Sequence, residues 1–260
     1  MPGRRRLGPA VANASGIEQV VVRQCPRSRH AWVDAPDKNE SQRPKLSKAT
    51  ENSKAQPIQS RSRETYEAIL RCAGELLAEA GFEKLTTNLI CKKAKLTPPA
   101  LYRYFPDKYA VLKELGDRLM KAQDDIVFDW IAEGGLEPKS EQEMVEASVD
   151  LQRRVVKLTR AFPGSYSILR ALRAVPTLQQ SRIESRNKVA EQFRLSMQPN
   201  LPGIPEERLR LVMRLMVELK YAATEMVIEE GDDLLDVTSE SARMFYLYFK
   251  RLENQAARDP

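Results

Sequence analysis

The stretch "LTPPALYRYFPDK", residues 96–108, sets the hydroxyls of Thr97, Tyr102 and Tyr104 and the cations Arg103 and Lys108 around two adjacent prolines. Lys92, Lys93 and Lys95 stand just ahead of it. Hydroxyl, guanidinium and ammonium donors this close together suit a polyanion, because phosphate oxygens accept from all three. They do not suit metal or acid–base chemistry. The chain holds one histidine, His30, and three scattered cysteines, Cys25, Cys72 and Cys91. Neither a zinc spacing nor a Ser-His or Cys-His triad can be assembled from them. No catalytic residue, metal site or cofactor is expected, and a helical enzyme is set aside for want of converging acids and bases.

The prolines explain how those donors are presented. The first turn of a helix has N–H groups with no intrahelical acceptor, so proline there loses nothing, and its fixed φ suits the helix. Thr97, pushed extended by Pro98, is expected to be the N-cap, with its hydroxyl reaching the N–H of Ala100. Pro99 disfavours the α region at Pro98, so Pro99 is the alternative first residue. The residue before Pro106 is pushed out of the helix as well, which stops it at Phe105. The result is a short helix. Leu101 and Phe105 face inward. Pro98, Pro99 and Ala100 offer small apolar contacts of the kind thymine methyls accept. Tyr102, Arg103 and Tyr104 reach phosphates or bases, and Lys108 opens the next helix where it can neutralise a phosphate. Lys92, Lys93 and Lys95 add charge on the approach side.

Such a helix needs supports. Tyr66, Ile69, Leu70, Ala73, Leu76, Leu77 and Ala80 fall at spacings of three and four, one stripe of a helix over 62–80 with Ser62 as N-cap and Gly81 past its end. Thr86 or Thr87 caps a second helix ending by Lys95, with Leu89, Ile90 and Ala94 inward. Asp107 caps a fourth running to about Ala132. A supporting helix followed by helix–turn–helix is the architecture that lays its last helix in the DNA major groove. Further helices are predicted over 140–161, 164–174, 177–197, 205–230 and 237–254, separated by Pro and Gly. Hydrophobic residues make up 42% and charged residues 30% of the chain, as a folded core requires. No apolar run approaches a membrane span.

Charge divides the chain. Residues 1–60 hold eleven Lys/Arg against five Asp/Glu, and residues 61–113 ten against six. The rest carries a net −4 within a total of +6. A basic front and an acidic back suggest that only the front meets a polyanion. Residues 1–60 show no sustained period and read as a disordered basic arm.

From Tyr66 to Leu112 the sequence resembles the DNA-binding domain of TetR-family transcriptional regulators. The likeness lies in "AILRCAGELLAEAGFEKLTT" and "ICKKAKLTPPALYRYFPDKYAVL", with Gly81-Phe82, the double Thr, the "LYRYF" block and the trailing Lys108. The resemblance implies that Thr87, Thr97, Pro99, Ala100, Tyr102, Tyr104 and Lys108 contact DNA. Thr86, Lys95, Pro98 and Arg103 complete the candidate surface. Lys95 departs from the family, which usually has glycine in that turn. A left-handed backbone there would strain a lysine.

The resemblance also implies a helical ligand and dimerisation domain. In 205–230, Glu207, Arg210, Arg214, Glu218, Glu225 and Glu229 form one narrow polar stripe, and nearly everything else is apolar. An apolar surface that wide must be covered from a second side, and "MFYLYF" in the last helix repeats the pattern. Leu211, Leu215, Leu219, Met226, Phe245 and Tyr248 are the expected interface of a four-helix bundle formed with a second copy. Met144, Phe162, Tyr166, Leu169 and Tyr221 are candidates to line a pocket for a small apolar or aromatic effector.

The expectation is an all-α chain: a basic arm over 1–60, a helix-turn-helix DNA-binding domain over 61–113, and a helical effector and dimerisation domain over 114–260. It would act in the cytoplasm, on the nucleoid, as a homodimeric, ligand-responsive repressor on a palindromic double-stranded operator, without a membrane partner. The alternative is an effector-independent nucleoid-associated or cell-division factor using the same heads.

Overall fold

Helix α1, Ala55–Ala80, is longer than its apolar stripe. It starts seven residues before Ser62, so Ser62 is a helical residue and not the expected cap. The computed structural model describes residues 55–231 and 235–257, and most of the expected basic arm lies outside them. Gly81 closes α1 in the left-handed conformation (φ 81°), its N–H returning to the Leu77 carbonyl at 3.1 Å. Helices α2 (Thr87–Ala94), α3 (Pro98–Tyr102) and α4 (Lys108–Ala132) follow. Ile69, Leu70, Ala73 and Leu77 of α1, Ile90 of α2, Leu101 of α3 and Val111, Leu112 and Leu115 of α4 are buried. Together they form a small head. The α1 and α3 side chains fall on the stripes that the periodicity picks out, but Leu89 of α2, expected inward, is 41% exposed, and Cys91 beside Ile90 is buried instead.

The remaining elements are α5 (Glu141–Ala161), α6 (Ser165–Ala174), α7 (Gln179–Met197), α8 (Glu206–Glu230) and α9 (Leu235–Ala256), with 3₁₀ turns at Pro176–Leu178 and Gln198–Asn200. No strand occurs among the described residues. Helix α5 packs on α9, and α7 packs on both α8 and α4. Their shared core includes Trp130, Phe193, Met213, Met216, Tyr221, Phe245 and Phe249. None of the described helices is long and apolar enough to cross a membrane.

Head and body share α4, which runs unbroken through the expected boundary at 113/114. Arg118 fixes α4 to α1 through two hydrogen bonds to the Glu67 carboxylate, at 2.7 and 2.8 Å, and a third to Glu114 at 2.8 Å. Paired with that guanidinium, Glu67 is held below the usual carboxylate range. Helix α6 fixes the other side, with Ser167 Oγ donating to the Leu77 carbonyl at 2.9 Å. Gly164, the left-handed N-cap of α6 (φ 72°), makes this contact possible. A Cβ there would lie 2.6 Å from Leu77 Cβ and 2.7 Å from the Gly74 carbonyl oxygen.

Candidate nucleic-acid interface and internal cavity

The turn between α2 and α3 is closed at both ends by its own sequence. Thr86, extended, caps α2, its Oγ1 accepting the Leu89 N–H at 3.2 Å. At the far end Lys95 takes the left-handed conformation (φ 55°, ψ 42°). The Leu96 N–H then reaches the Cys91 carbonyl at 2.9 Å, as in a glycine-ended helix. Thr97 is extended, as expected before proline, but its hydroxyl makes no capping bond. Its backbone carbonyl instead accepts the N–H groups of Ala100 at 3.0 Å and Leu101 at 3.2 Å. With no N–H on either proline, the first donor of α3 is already satisfied and the side chain is not needed. The helix begins at Pro98 and ends at Tyr102, short of the expected Phe105. Tyr104 and Phe105 close the turn on the Leu101 carbonyl at 2.9 and 3.0 Å.

This geometry turns one side of α3 outward. Thr97, Pro98, Pro99 and Arg103 are exposed, Ala100 is half-buried, and Tyr102 is 50% exposed. Leu101 and Phe105 are buried beneath them, where Tyr66 stacks on Phe105 with ring centres 4.9 Å apart. Burial and the nearby Glu114 carboxylate push the Tyr66 hydroxyl up to about 12, so it stays protonated. Tyr102 shares a hydrogen bond with Thr87 at 3.3 Å, and Tyr104 shares one with Ser62 at 3.2 Å. The two tyrosines are thus oriented from α2 and from α1. Asp107 caps α4 by accepting the Ala110 N–H at 2.8 Å, which sets Lys108 beside the Tyr109 ring at 5.4 Å.

Lys92, Lys95, Arg103 and Lys108 have no carboxylate partner among the described residues. Lys93 differs from its neighbours. It turns back onto α1 and pairs with Glu75 at 3.2 Å and Glu79 at 2.6 Å, because α2 lies across α1 and brings that one register position over two acids. It is therefore neutralised rather than presented. All eleven candidate residues lie in or beside one helix–turn–helix, which leaves small apolar groups, hydroxyls and unpaired cations on a common surface.

Residues 69–115 match the family model described as bacterial regulatory proteins, tetR family. The head of this chain therefore carries the tetR-type DNA-binding region of that family model. Solved structures of TetR-family regulators share its fold. One from Syntrophomonas wolfei is 14% identical, covers 71% of this chain and 96% of its own, and has a TM-score of 0.53. One from Mesorhizobium loti is 15% identical, with 72% and 98% covered and a TM-score of 0.53. One from Streptomyces coelicolor is 15% identical, with 76% and 90% covered and a TM-score of 0.50. No curated protein matches the sequence.

The body holds a cavity of about 60 Å³ walled mainly by α4, α5, α7, α8 and α9. Val127, Trp130, Met144, Ser148, Phe193, Met216, Lys220, Tyr221 and Phe245 are among its lining residues. Met144 and Tyr221 are thus where a pocket would need them. Phe162, Tyr166 and Leu169 are not. Phe162 is the extended C-cap of α5, and Tyr166 and Leu169 sit in a shallow hollow beside Arg170, Arg173 and Glu225, since α6 runs along the head and not around the cavity. Trp130, Phe193, Met216 and Lys220 are not distinguishable from ordinary helix residues by spacing, and the sequence carries no signal for them.

Next to the cavity lies a buried polar cluster. Asp124 accepts from Ser185 Oγ at 2.7 Å and from the Tyr221 hydroxyl at 3.4 Å. Burial pushes its carboxyl up to about 6 and the Tyr221 hydroxyl up to about 12. The Arg186 guanidinium stacks over the Tyr221 ring, 3.3 Å from its centre, and faces Glu218 at 3.5 Å and Glu225 at 3.6 Å. Glu218 and Glu225 of the polar stripe on α8 are therefore turned toward α7. The outward face of α8 carries Leu211, Leu215, Leu219 and Met226, which are 61%, 55%, 49% and 39% exposed. Met244, Leu247 and Tyr248 of α9 are exposed in the same way. Phe245 is not on that face. It shares the inner register of α9 with Phe249 and Leu252, is buried, and lines the cavity.

Proposed function

We propose that the chain acts as a homodimeric repressor that reads a palindromic operator with two copies of α3 and releases it when a small molecule fills the cavity. The observation that carries this reading is the course of α4. The helix starts at Lys108 beside the reading helix, and about 28–33 Å further on, at 1.5 Å per residue, Val127 and Trp130 form part of the cavity wall. A ligand that favours one packing of Trp130 against Ala147 of α5 and Phe193 of α7 biases the tilt of α4 and hence the head. It can do so only by binding one arrangement better than the other. The exposed leucines of α8, with Met244 and Leu247 of α9, supply the apolar face that a second copy would cover. A two-fold pair would hold the reading helices about 34–36 Å apart, or a multiple of that.

The test is selection of DNA from a random pool by the full chain, with sedimentation of the free protein. A two-fold symmetric motif and a dimer are expected. A stably monomeric protein, or bound DNA without a symmetric motif, would overturn the reading. Many dispersed, unrelated sites would favour the nucleoid-factor alternative.

A further inference from the structure

We propose that the cavity of the body takes a monocarboxylate with an apolar aromatic or medium-chain aliphatic body, its carboxylate held by Lys220 Nζ and Ser148 Oγ. This rests on the reading of the cavity as the effector site and narrows the class of effector.

The charge inventory carries the inference. The cavity wall is apolar except for Lys220, Ser148 and the Tyr221 hydroxyl, which is already turned to Asp124. No aspartate or glutamate lines it. Lys220 has no carboxylate partner among the described residues. Its ammonium donates to Ser241 Oγ at 3.2 Å and lies 5.2 Å from the centre of the Phe245 ring. Ser241 Oγ also serves the Thr238 carbonyl at 2.9 Å. The arginines on α6 and α7 are matched instead: Arg173 and Arg186 meet Glu225, Arg182 meets Glu218, and Arg194 meets Glu191. A lysine taken into apolar surroundings without a counterion is costly, and lysines are seldom buried unpaired. A bound anion would supply the missing charge. With no negative neighbour, burial alone pushes the Lys220 ammonium down to about 8, so it still carries its proton at neutral pH.

Ser148 adds a second donor. Its hydroxyl is buried and donates only to Met144 Sδ at 3.7 Å, a weak acceptor that a carboxylate oxygen would displace. One ammonium and one hydroxyl match a monoanion. A phosphate dianion would lack donors, and an amine would meet Lys220 with like charge. A free volume of about 60 Å³ is room for about four waters, less than the roughly 150 Å³ that takes up a benzene ring, so the wall must give way to admit a ring or chain. Met144 and Met216 in the wall can yield to a longer body.

The experiment is titration calorimetry on the full chain with benzoate, phenylacetate, 3-phenylpropanoate, hexanoate and octanoate, each beside its primary amide and the matching amine. At least one acid should bind about tenfold or more tighter than its amide, in line with a charge-assisted hydrogen bond, and the amines should not bind. Lys220→Met, or Lys220→Gln if the first variant folds poorly, should bring acid and amide within about twofold while the amide still binds. Lys220→Arg should keep the preference for the acid. An amide or amine that binds as tightly as its acid, or an acid preference that survives Lys220→Met, overturns the carboxylate assignment and leaves the effector cavity standing. Binding of no acid, amide or amine overturns both.

Discussion

Lys95→Gly separates the strain of the turn from its charge. Lys95 is the only non-glycine residue with positive φ among those described, and an L-residue in that conformation costs about 1–2 kcal/mol. Glycine removes the strain but gives back about 0.5–1 kcal/mol through the greater freedom of its unfolded chain. The net is a gain of roughly 0.5–1 kcal/mol, or a Tm rise of a few degrees for a chain of this size. The exposed ammonium is lost at the same time. If it neutralises one phosphate, the slope of log K against log salt falls by about 0.9. Lys95→Ala is the control, because alanine loses the charge and keeps the strain. Urea melts at one fixed protein concentration and salt titrations of operator binding read the two effects. A glycine variant less stable than the alanine variant would refute the left-handed assignment. An unchanged salt slope in both variants would refute the phosphate contact.

Four further outcomes follow from the same coordinates. Lys108→Ala should lower the salt slope by about one without changing the preferred DNA sequence, whereas a changed preference in a repeat selection would mean that Lys108 reads bases. Leu215→Glu, on the exposed face of α8, should shift sedimentation from dimer to monomer while leaving helix content intact. Asp124, held at about 6 against an ordinary 3.8, binds a proton when folded that the unfolded chain has already released, so stability should fall as pH rises between about 4 and 6, by about 3 kcal/mol at 1.36 kcal/mol per pH unit. Asp124→Asn should flatten that fall in denaturant melts, and an unchanged pH profile would count against a buried carboxyl. Gly164→Ala should destabilise by roughly 2–4 kcal/mol, because a methyl group would press on Leu77 and the Gly74 carbonyl at a positive φ; an unchanged urea midpoint would contradict the close approach of α6 to α1.

What the sequence determined by itself is what depends on neighbours along the chain. The Thr86 cap, the paired prolines that start α3, the Asp107 cap and the apolar stripe of α1 are local physics, written within a few residues. The start of α3 and the turn before it were legible for that reason, down to the strained Lys95. Local rules also reach their limit there. Whether Thr97 caps α3 by its hydroxyl or its carbonyl, and whether Lys93 faces solvent or α1, depended on contacts that spacing does not encode. In the body only the packing of α4, α5, α7, α8 and α9 decided where the cavity lies and which faces stay exposed. It set Phe245 inward, turned Glu218 and Glu225 of the α8 polar stripe toward α7, and left Lys220 without a carboxylate partner among the described residues. A helix states which of its faces are apolar. Which neighbour covers each face, and where a gap remains between them, is fixed by side chains that meet only once distant parts of the chain have packed.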